Sequence, residues 1–219
     1  MITILGLGSL LSERSSRLTF PRLTNFRLVK VKGFRRVFAH TPSVFVERGV
    51  ANWETQEMSS LSAEPCEEGE FIATAFEVDG NMDDFREREE EFYLEMVPYQ
   101  PLDVVESAPS DGHLGMLCTA SSDAKYIEQW GDGRFESKYR ALGLQTIWNW
   151  STDGNLKPCA TYLRHCALAA EKLGPAAHAS FLDDTFLVDR TTTIRAYLAA
   201  NPHVMETLPP ESLRERYSG

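Results

Sequence analysis

Apolar and basic side chains alternate over residues 26–40, FRLVKVKGFRRVFAH, at the two-residue period of a β-strand. Gly33 interrupts this alternation and predicts a bulge. A similar alternation over residues 70–80 predicts a second long strand, and the apolar run at residues 2–11 predicts a buried first strand that leads into a tight loop. Residues 99–107 and 112–121 predict a further strand pair. The first half of the chain is therefore expected to form a sheet.

Helical spacing begins after Ser121. Residues 158–174, PCATYLRHCALAAEKLG, carry an apolar stripe with a proline at the start and a glycine at the end, and residues 189–202 predict another helix that ends at Asn201 and Pro202. We therefore predict an α+β fold. Residues 1–150 are expected to form the main domain, and residues 151–219 a C-terminal helical extension packed on it.

Composition excludes several classes of protein. The chain has 219 residues and a formal net charge of −10, which disfavours nucleic acid and anionic membranes as partners. We find no apolar run of about 18 residues for a membrane span and no signal peptide, so a cytoplasmic protein is expected. The basic segment at residues 14–36 and the acidic segment at residues 54–111 are candidates for facing parts of one domain.

The four cysteines show no metal-site spacing, and we expect them to be reduced core residues.

Seven of the fifteen residues at positions 82–96, MDDFREREEEFYLEM, are carboxylates. If this stretch is helical for most of its length, five apolar residues fall within about 60° of Glu89 on the helical wheel: Met82, Phe85, Phe92, Tyr93 and Met96. The other carboxylates point elsewhere and are expected to face solvent. A carboxylate on a core-facing stripe requires a raised pKa or a dedicated partner. Glu89 is therefore either a general base or half of a structural ion pair with an arginine such as Arg35 or Arg36, which would only hold strands together.

The glycine loop GLGSLL follows the first predicted strand. Glycines in such a loop allow backbone N–H groups to converge on an anion, although the loop taken by itself favours a purely structural turn. A dinucleotide-binding loop would need a third glycine where Leu11 stands. The candidate binding residues are the six of this loop: Gly6, Leu7, Gly8, Ser9, Leu10 and Leu11.

The order of these motifs resembles the gamma-glutamylcyclotransferase-like family, in particular plant- and algal-type members with a C-terminal helical extension. The resemblance rests on LGSL at residues 7–10, GFRR at residues 33–36 and REEEF at residues 88–92. It implies a mixed, partly closed β-sheet or barrel with flanking helices. Leu7 stands where the family has a loop tyrosine. The family glutamate aligns with Glu87 or Glu89, and the helical wheel favours Glu89.

The resemblance also implies a reaction. In this family the α-amine of a γ-glutamyl group attacks its own γ-carbonyl, which releases 5-oxoproline and the free amine. Glu89 would act as general acid and base, the loop N–H groups would stabilise the oxyanion or bind the α-carboxylate, and neither a metal nor an organic cofactor is implied. Tyr139 resembles a substrate-pocket tyrosine of the family, although a core tyrosine is an equal interpretation. The rival hypothesis is a non-catalytic member that binds a small molecule or a protein.

Overall fold

The computed structural model describes residues 1–79, 82–102 and 112–219. Its strands are β1 (Ile2–Gly6), β2 (Thr24–His40), β3 (Glu57–Val78), β4 (Tyr93–Pro101), β5 (Leu114–Thr119), β6 (Lys157–Pro158) and β7 (Thr185–Leu187). Its α-helices are α1 (Glu13–Thr19), α2 (Ser43–Glu47), α3 (Met82–Arg88), α4 (Asp123–Trp130), α5 (Asp132–Lys138), α6 (Ala160–Lys172), α7 (Pro175–Asp183), α8 (Ile194–Ala200) and α9 (His203–Glu206). Short 3₁₀ helices are Ser9–Leu11, Arg140–Leu142 and Glu211–Leu213.

Five strands form a closed barrel. The strand order is β3, β1, β5, β4, β2, and β2 pairs again with β3. Most of these pairs are antiparallel, whereas β1 and β5 are parallel. The predicted α+β class, with a partly closed sheet and flanking helices, is confirmed.

The long strands β2 and β3 dominate the barrel, and their pairing explains the uneven charge of the sequence. Basic side chains of β2 meet acidic side chains of β3, as the two segments of opposite charge predicted. The cross-strand ion pairs are Arg27 with Glu77 at 2.8 Å, Lys30 with Glu70 at 2.9 Å, and Arg35 with Glu64 at 2.6 Å. The predicted irregularity at Gly33 is present, because this residue has a φ of +80° and the register shifts between Lys32 and Phe34.

The segment after residue 150 contributes strands as well as helices. β6 extends the sheet beside β3, and β7 pairs in parallel with β2. The largest hydrophobic cluster contains side chains from both sides of residue 150, such as Leu5 and Phe38 with Leu163 and Phe181. The division into a catalytic domain and an extension stays a prediction.

All four cysteines are free, as expected, and Cys159 and Cys166 are buried in this core. No helix among the described residues has the length and apolar character needed to cross a membrane.

The acidic stretch is shorter as a helix than the wheel assumed. Helix α3 ends at Arg88, and β4 begins at Tyr93. From Tyr93 to Pro98 the chain pairs with β5 instead, because aromatic and branched side chains favour a pleated strand when a partner strand is available. The wheel therefore assigns the wrong direction to several side chains beyond Glu89. Tyr93 and Met96, predicted to face the core, are about half exposed.

Candidate functional site

A cavity of about 310 Å³ opens between the loop after β1, the turn after α3, and helices α2 and α6. Side chains from distant parts of the sequence meet there. The residues that line the cavity include Ser9, Arg48, Glu87, Arg88, Glu89, Glu90, Glu91, Lys138, Tyr162, Arg216 and Tyr217. The cavity is of the size that small-molecule sites have in proteins.

Ser9 is the residue of the glycine loop that lines the cavity. Leu7, Leu10 and Leu11, three of the other predicted binding residues, are buried in the hydrophobic clusters. Gly6 lies against Thr74, whose hydroxyl donates to the carbonyl of Leu10 at 2.9 Å and so holds the loop against β3. The contact with Thr74 therefore holds the loop on β3, and Ser9 faces the cavity.

Tyr162 of α6 contacts this loop on the side that faces the cavity. The backbone N–H of Ser9 donates to the Tyr162 hydroxyl at 3.3 Å, and a Cβ on Gly8 would lie 2.3 Å from the same oxygen. Gly8 therefore allows the tyrosine to approach the backbone. One predicted anion donor, the Ser9 N–H, is engaged by this hydroxyl, and another, the Leu11 N–H, donates to the Gly8 carbonyl at 2.9 Å. Leu7 supplies no hydroxyl, but α6 places one at the loop.

Glu89 lies in the turn that follows α3. Its N–H closes the last turn of the helix by donating to the Phe85 carbonyl at 2.9 Å, and its side chain is 15% exposed. Burial raises the pKa of the Glu89 carboxyl, and the positive charges of Arg88 and Arg216 oppose this shift. Its carboxylate contacts Arg88 Nε at 3.1 Å. The structure brings Glu89 and Ser9 to one cavity, and the catalytic role of Glu89 stays a prediction.

The alternative ion pair of Glu89 with Arg35 or Arg36 is wrong. Arg35 binds Glu64, as described above. Arg36 is fully buried, and its guanidinium donates to the Ser180 carbonyl at 2.6 Å. Because both arginines are engaged elsewhere in the barrel, the role of holding strands together does not explain the position of Glu89.

Glu90 and Glu91 are not members of a solvated face, contrary to the prediction. The turn at residues 89–92 rotates the Glu90 side chain inward, where it is 4% exposed and pairs with Arg134 at 2.5 Å and with Lys138 at 2.6 Å. Glu91 also lines the cavity. Burial raises the pKa of Glu91 to about 8, and the charge of Glu89 adds to this shift.

Two tryptophans hold the backbone of this turn. Trp130 Nε1 donates to the Glu90 carbonyl at 3.1 Å, and Trp148 Nε1 donates to the Glu91 carbonyl at 2.9 Å. The Trp148 ring in turn stacks on the buried His40, with their centroids 4.4 Å apart. These two hydrogen bonds fix the backbone of the segment to which the Glu89 and Glu91 side chains belong.

Glu87 and Tyr139 lie in different surroundings from Glu89. The Glu87 side chain is 68% exposed at the rim and approaches Arg134 at 3.7 Å. Tyr139 is buried in a second hydrophobic cluster, where its ring stacks on Phe135 at 5.4 Å. Its hydroxyl lies near Ser43 and Glu91, behind the cavity wall, and burial raises its pKa strongly.

Several cavity residues could not be identified from sequence. Tyr162 belongs to the apolar stripe of residues 158–174, which predicts a core position, and Arg48 and Arg216 belong to no recognised motif. A signal exists only for Tyr162: it is the aromatic residue nearest the start of a helix that is otherwise rich in alanine. The arginines reach the cavity through long-range packing, which no local pattern encodes.

No model of a known protein family matches this chain, and no curated protein sequence matches it. Several solved structures match it, among them two that resemble it at low similarity. One is an uncharacterized human protein, with 11% sequence identity and a TM-score of 0.43 over 68% of this chain and 90% of that protein. The other is a gamma-glutamyl cyclotransferase, with 12% identity and a TM-score of 0.40 over 70% of this chain and 92% of that protein.

Proposed function

We propose that this protein is an enzyme of the gamma-glutamylcyclotransferase type, acting on a small γ-glutamyl peptide or amine. The observation that carries the proposal is the buried carboxyl of Glu89, with its raised pKa, in the same cavity as Ser9 of the glycine loop. The motif order in the sequence supports the same function. A carboxyl group placed in this way is suited to proton transfer.

In the proposed reaction Glu89 removes a proton from the α-amine of the γ-glutamyl group. The amine nitrogen then attacks the γ-carbonyl carbon, and the carbonyl oxygen takes the negative charge. Collapse of this intermediate breaks the bond to the leaving nitrogen, which receives the proton that Glu89 holds. The ring nitrogen gives its second proton to the Glu89 carboxylate, which passes it to the released amine. The products are 5-oxoproline and the free amine. Because the nucleophile and the carbonyl belong to one molecule, ring closure supplies the proximity that a two-substrate reaction lacks.

The surroundings of Glu89 suit this cycle. Burial favours the protonated form of the carboxyl, which helps it to return a proton to the leaving nitrogen. Arg88, in contact with Glu89, favours the ionised form that accepts the proton from the amine. The hydroxyl groups of Ser9 and Tyr162 at the loop are the proposed donors to the developing oxyanion.

The test is release of 5-oxoproline from a panel containing glutathione, γ-glutamyl dipeptides and γ-glutamyl-lysine-type amines. We expect turnover of at least one class, with equal amounts of 5-oxoproline and free amine. Peptides with an α-glutamyl linkage are the matched control, because their γ-carbon bears a free carboxylate instead of an amide. Ring closure there would release water, and neither the amine nor free 5-oxoproline. Absence of turnover across the panel would contradict the proposal.

A further inference from the structure

Residues 209–219 fold back along α6 and reach the cavity. The backbone N–H of Gly219 donates to His165 Nδ1 at 2.9 Å, and Lys172 Nζ donates to the Gly219 carbonyl at 2.8 Å. Tyr217 is buried, and its ring meets the edges of His165 and Tyr162 at centroid distances of 5.6 Å and 6.5 Å. These contacts fix the position of the neighbouring Arg216.

Arg48 and Arg216 both line the cavity. Arg48 Nη1 donates to the Tyr217 hydroxyl at 2.8 Å, so Tyr217 orients the Arg48 guanidinium. Tyr217 is also the neighbour of Arg216 in the sequence and therefore holds both arginines at the cavity. Burial, together with the positive charges of Arg48 and Arg88, lowers the pKa of Arg216. The two guanidiniums are therefore held near one another at an electrostatic cost.

Other cations at this cavity already have carboxylate partners. Arg88 contacts Glu89, and Lys138 pairs with Glu90. Within residues 1–79, 82–102 and 112–219, by contrast, neither Arg48 nor Arg216 forms an ion pair with a carboxylate. A guanidinium presents a planar set of donors that matches a carboxylate, and removing it from water is unfavourable unless an anion compensates.

We propose that Arg48 and Arg216 form a carboxylate-binding site for the molecule that occupies the cavity. The identity of that molecule as a γ-glutamyl compound rests on the proposed function, whereas binding of a carboxylate does not depend on turnover. Such a compound offers the α-carboxylate of its glutamyl group and, if it is a peptide, the carboxylate of the leaving amino acid. Residues 209–219 would then supply a specificity determinant.

The first experiment measures binding without turnover. Isothermal titration calorimetry with glutarate, a five-carbon dicarboxylate, is expected to show binding to the wild type, and the uncharged glutaramide is expected to bind more weakly. Charge-assisted hydrogen bonds of this kind correspond to roughly a tenfold to hundredfold change in affinity, so Arg216→Gln should weaken glutarate binding by about that factor. Arg216→Lys should fall in between, because it keeps the charge but loses the planar fork.

Arg214 provides the matched control. It lies in the same segment, is 61% exposed and contacts Glu211 at 3.7 Å, so Arg214→Gln should leave glutarate affinity unchanged. Near-identical thermal unfolding of the three variants would show that the segment still folds. Equal affinity of wild type and Arg216→Gln, equal binding of glutaramide, or no glutarate binding by the wild type would overturn the proposal.

The second experiment distinguishes the two sources of the carboxylate. The KM of Arg216→Gln is compared for a γ-glutamyl amino acid and for γ-glutamyl ethylamide, whose leaving group has no carboxylate. A higher KM for both substrates assigns the site to the α-carboxylate, and a higher KM for the amino acid alone assigns it to the leaving group. An unchanged KM for both contradicts the inference. If the wild type turns over no member of the panel, the proposed function fails while the calorimetry still decides the carboxylate site.

Discussion

Replacement of Glu90 by glutamine separates a structural carboxylate from a reactive one within three consecutive glutamates. The Glu90 side chain is 4% exposed, and its two oxygens contact Arg134 at 2.5 Å and Lys138 at 2.6 Å. Removing one partner of a fully buried ion pair costs about 3–5 kcal/mol. Arg134 and Lys138 are 29% and 40% exposed and can regain water, so we expect a smaller loss of about 2–3 kcal/mol in the free energy of unfolding.

The assay is urea unfolding followed by tryptophan fluorescence, with the thermal midpoint as a second readout. For a protein of this length, the expected loss corresponds to a fall of roughly 5–10 °C. Glu87→Gln is the control, because Glu87 is 68% exposed and approaches Arg134 only at 3.7 Å; it should change stability by less than about 0.5 kcal/mol. Equal unfolding of the two variants would refute the assignment of Glu90 as a buried anchor of the turn.

Two further predictions concern the loop and the pH dependence. Gly8→Ala places a Cβ 2.3 Å from the Tyr162 hydroxyl oxygen and should lower the free energy of unfolding by about 1–3 kcal/mol. In a double-mutant cycle, a smaller loss in a Tyr162→Phe background would show that the clash is with the hydroxyl. Equal losses in the two backgrounds would contradict this clash. The pKa of the Glu91 carboxyl is raised to about 8 in the folded protein. Between about pH 4.5 and 8 this carboxyl therefore binds more protons in the folded state than in the unfolded state. The contribution of Glu91 should make the free energy of unfolding fall as the pH rises through this range. Glu91→Gln should flatten the dependence of the unfolding free energy on pH over that range, and an unchanged slope would show that Glu91 is not protonated there.

The fold was largely predictable because it follows local patterns. Period-two alternation located β2 and residues 70–78 of β3, although it did not indicate that β3 begins as early as Glu57, and Gly33 marked the irregularity in β2. The opposite charges of the two strands indicated that they face each other, and the ion pair of Lys30 with Glu70 is one example. Helix α6 was visible as an apolar stripe. Each of these signals depends on residues close together in the sequence.

The site was less predictable because its geometry depends on where α3 ends. The helical wheel extended the helical phase past Arg88, whereas pairing with β5 draws the following residues into a strand. The turn at residues 89–92 buries Glu90 beside Arg134, a residue 44 positions away in the sequence. Helical or strand periodicity does not predict this direction of the Glu90 side chain. Arg216 reaches the cavity because residues 209–219 pack on α6, which is likewise a long-range event.

The most direct test of the proposed chemistry is the rate of 5-oxoproline release by Glu89→Gln, measured beside Glu87→Gln and Glu91→Gln on the best substrate of the panel. Glutamine keeps the shape of the side chain but accepts no proton, so we expect Glu89→Gln to lower kcat by at least about a hundredfold, as loss of a general base does. Glu87→Gln should retain most of the activity. Full activity of Glu89→Gln, or loss of activity only in Glu87→Gln or Glu91→Gln, would contradict the assignment of Glu89 as the general acid and base.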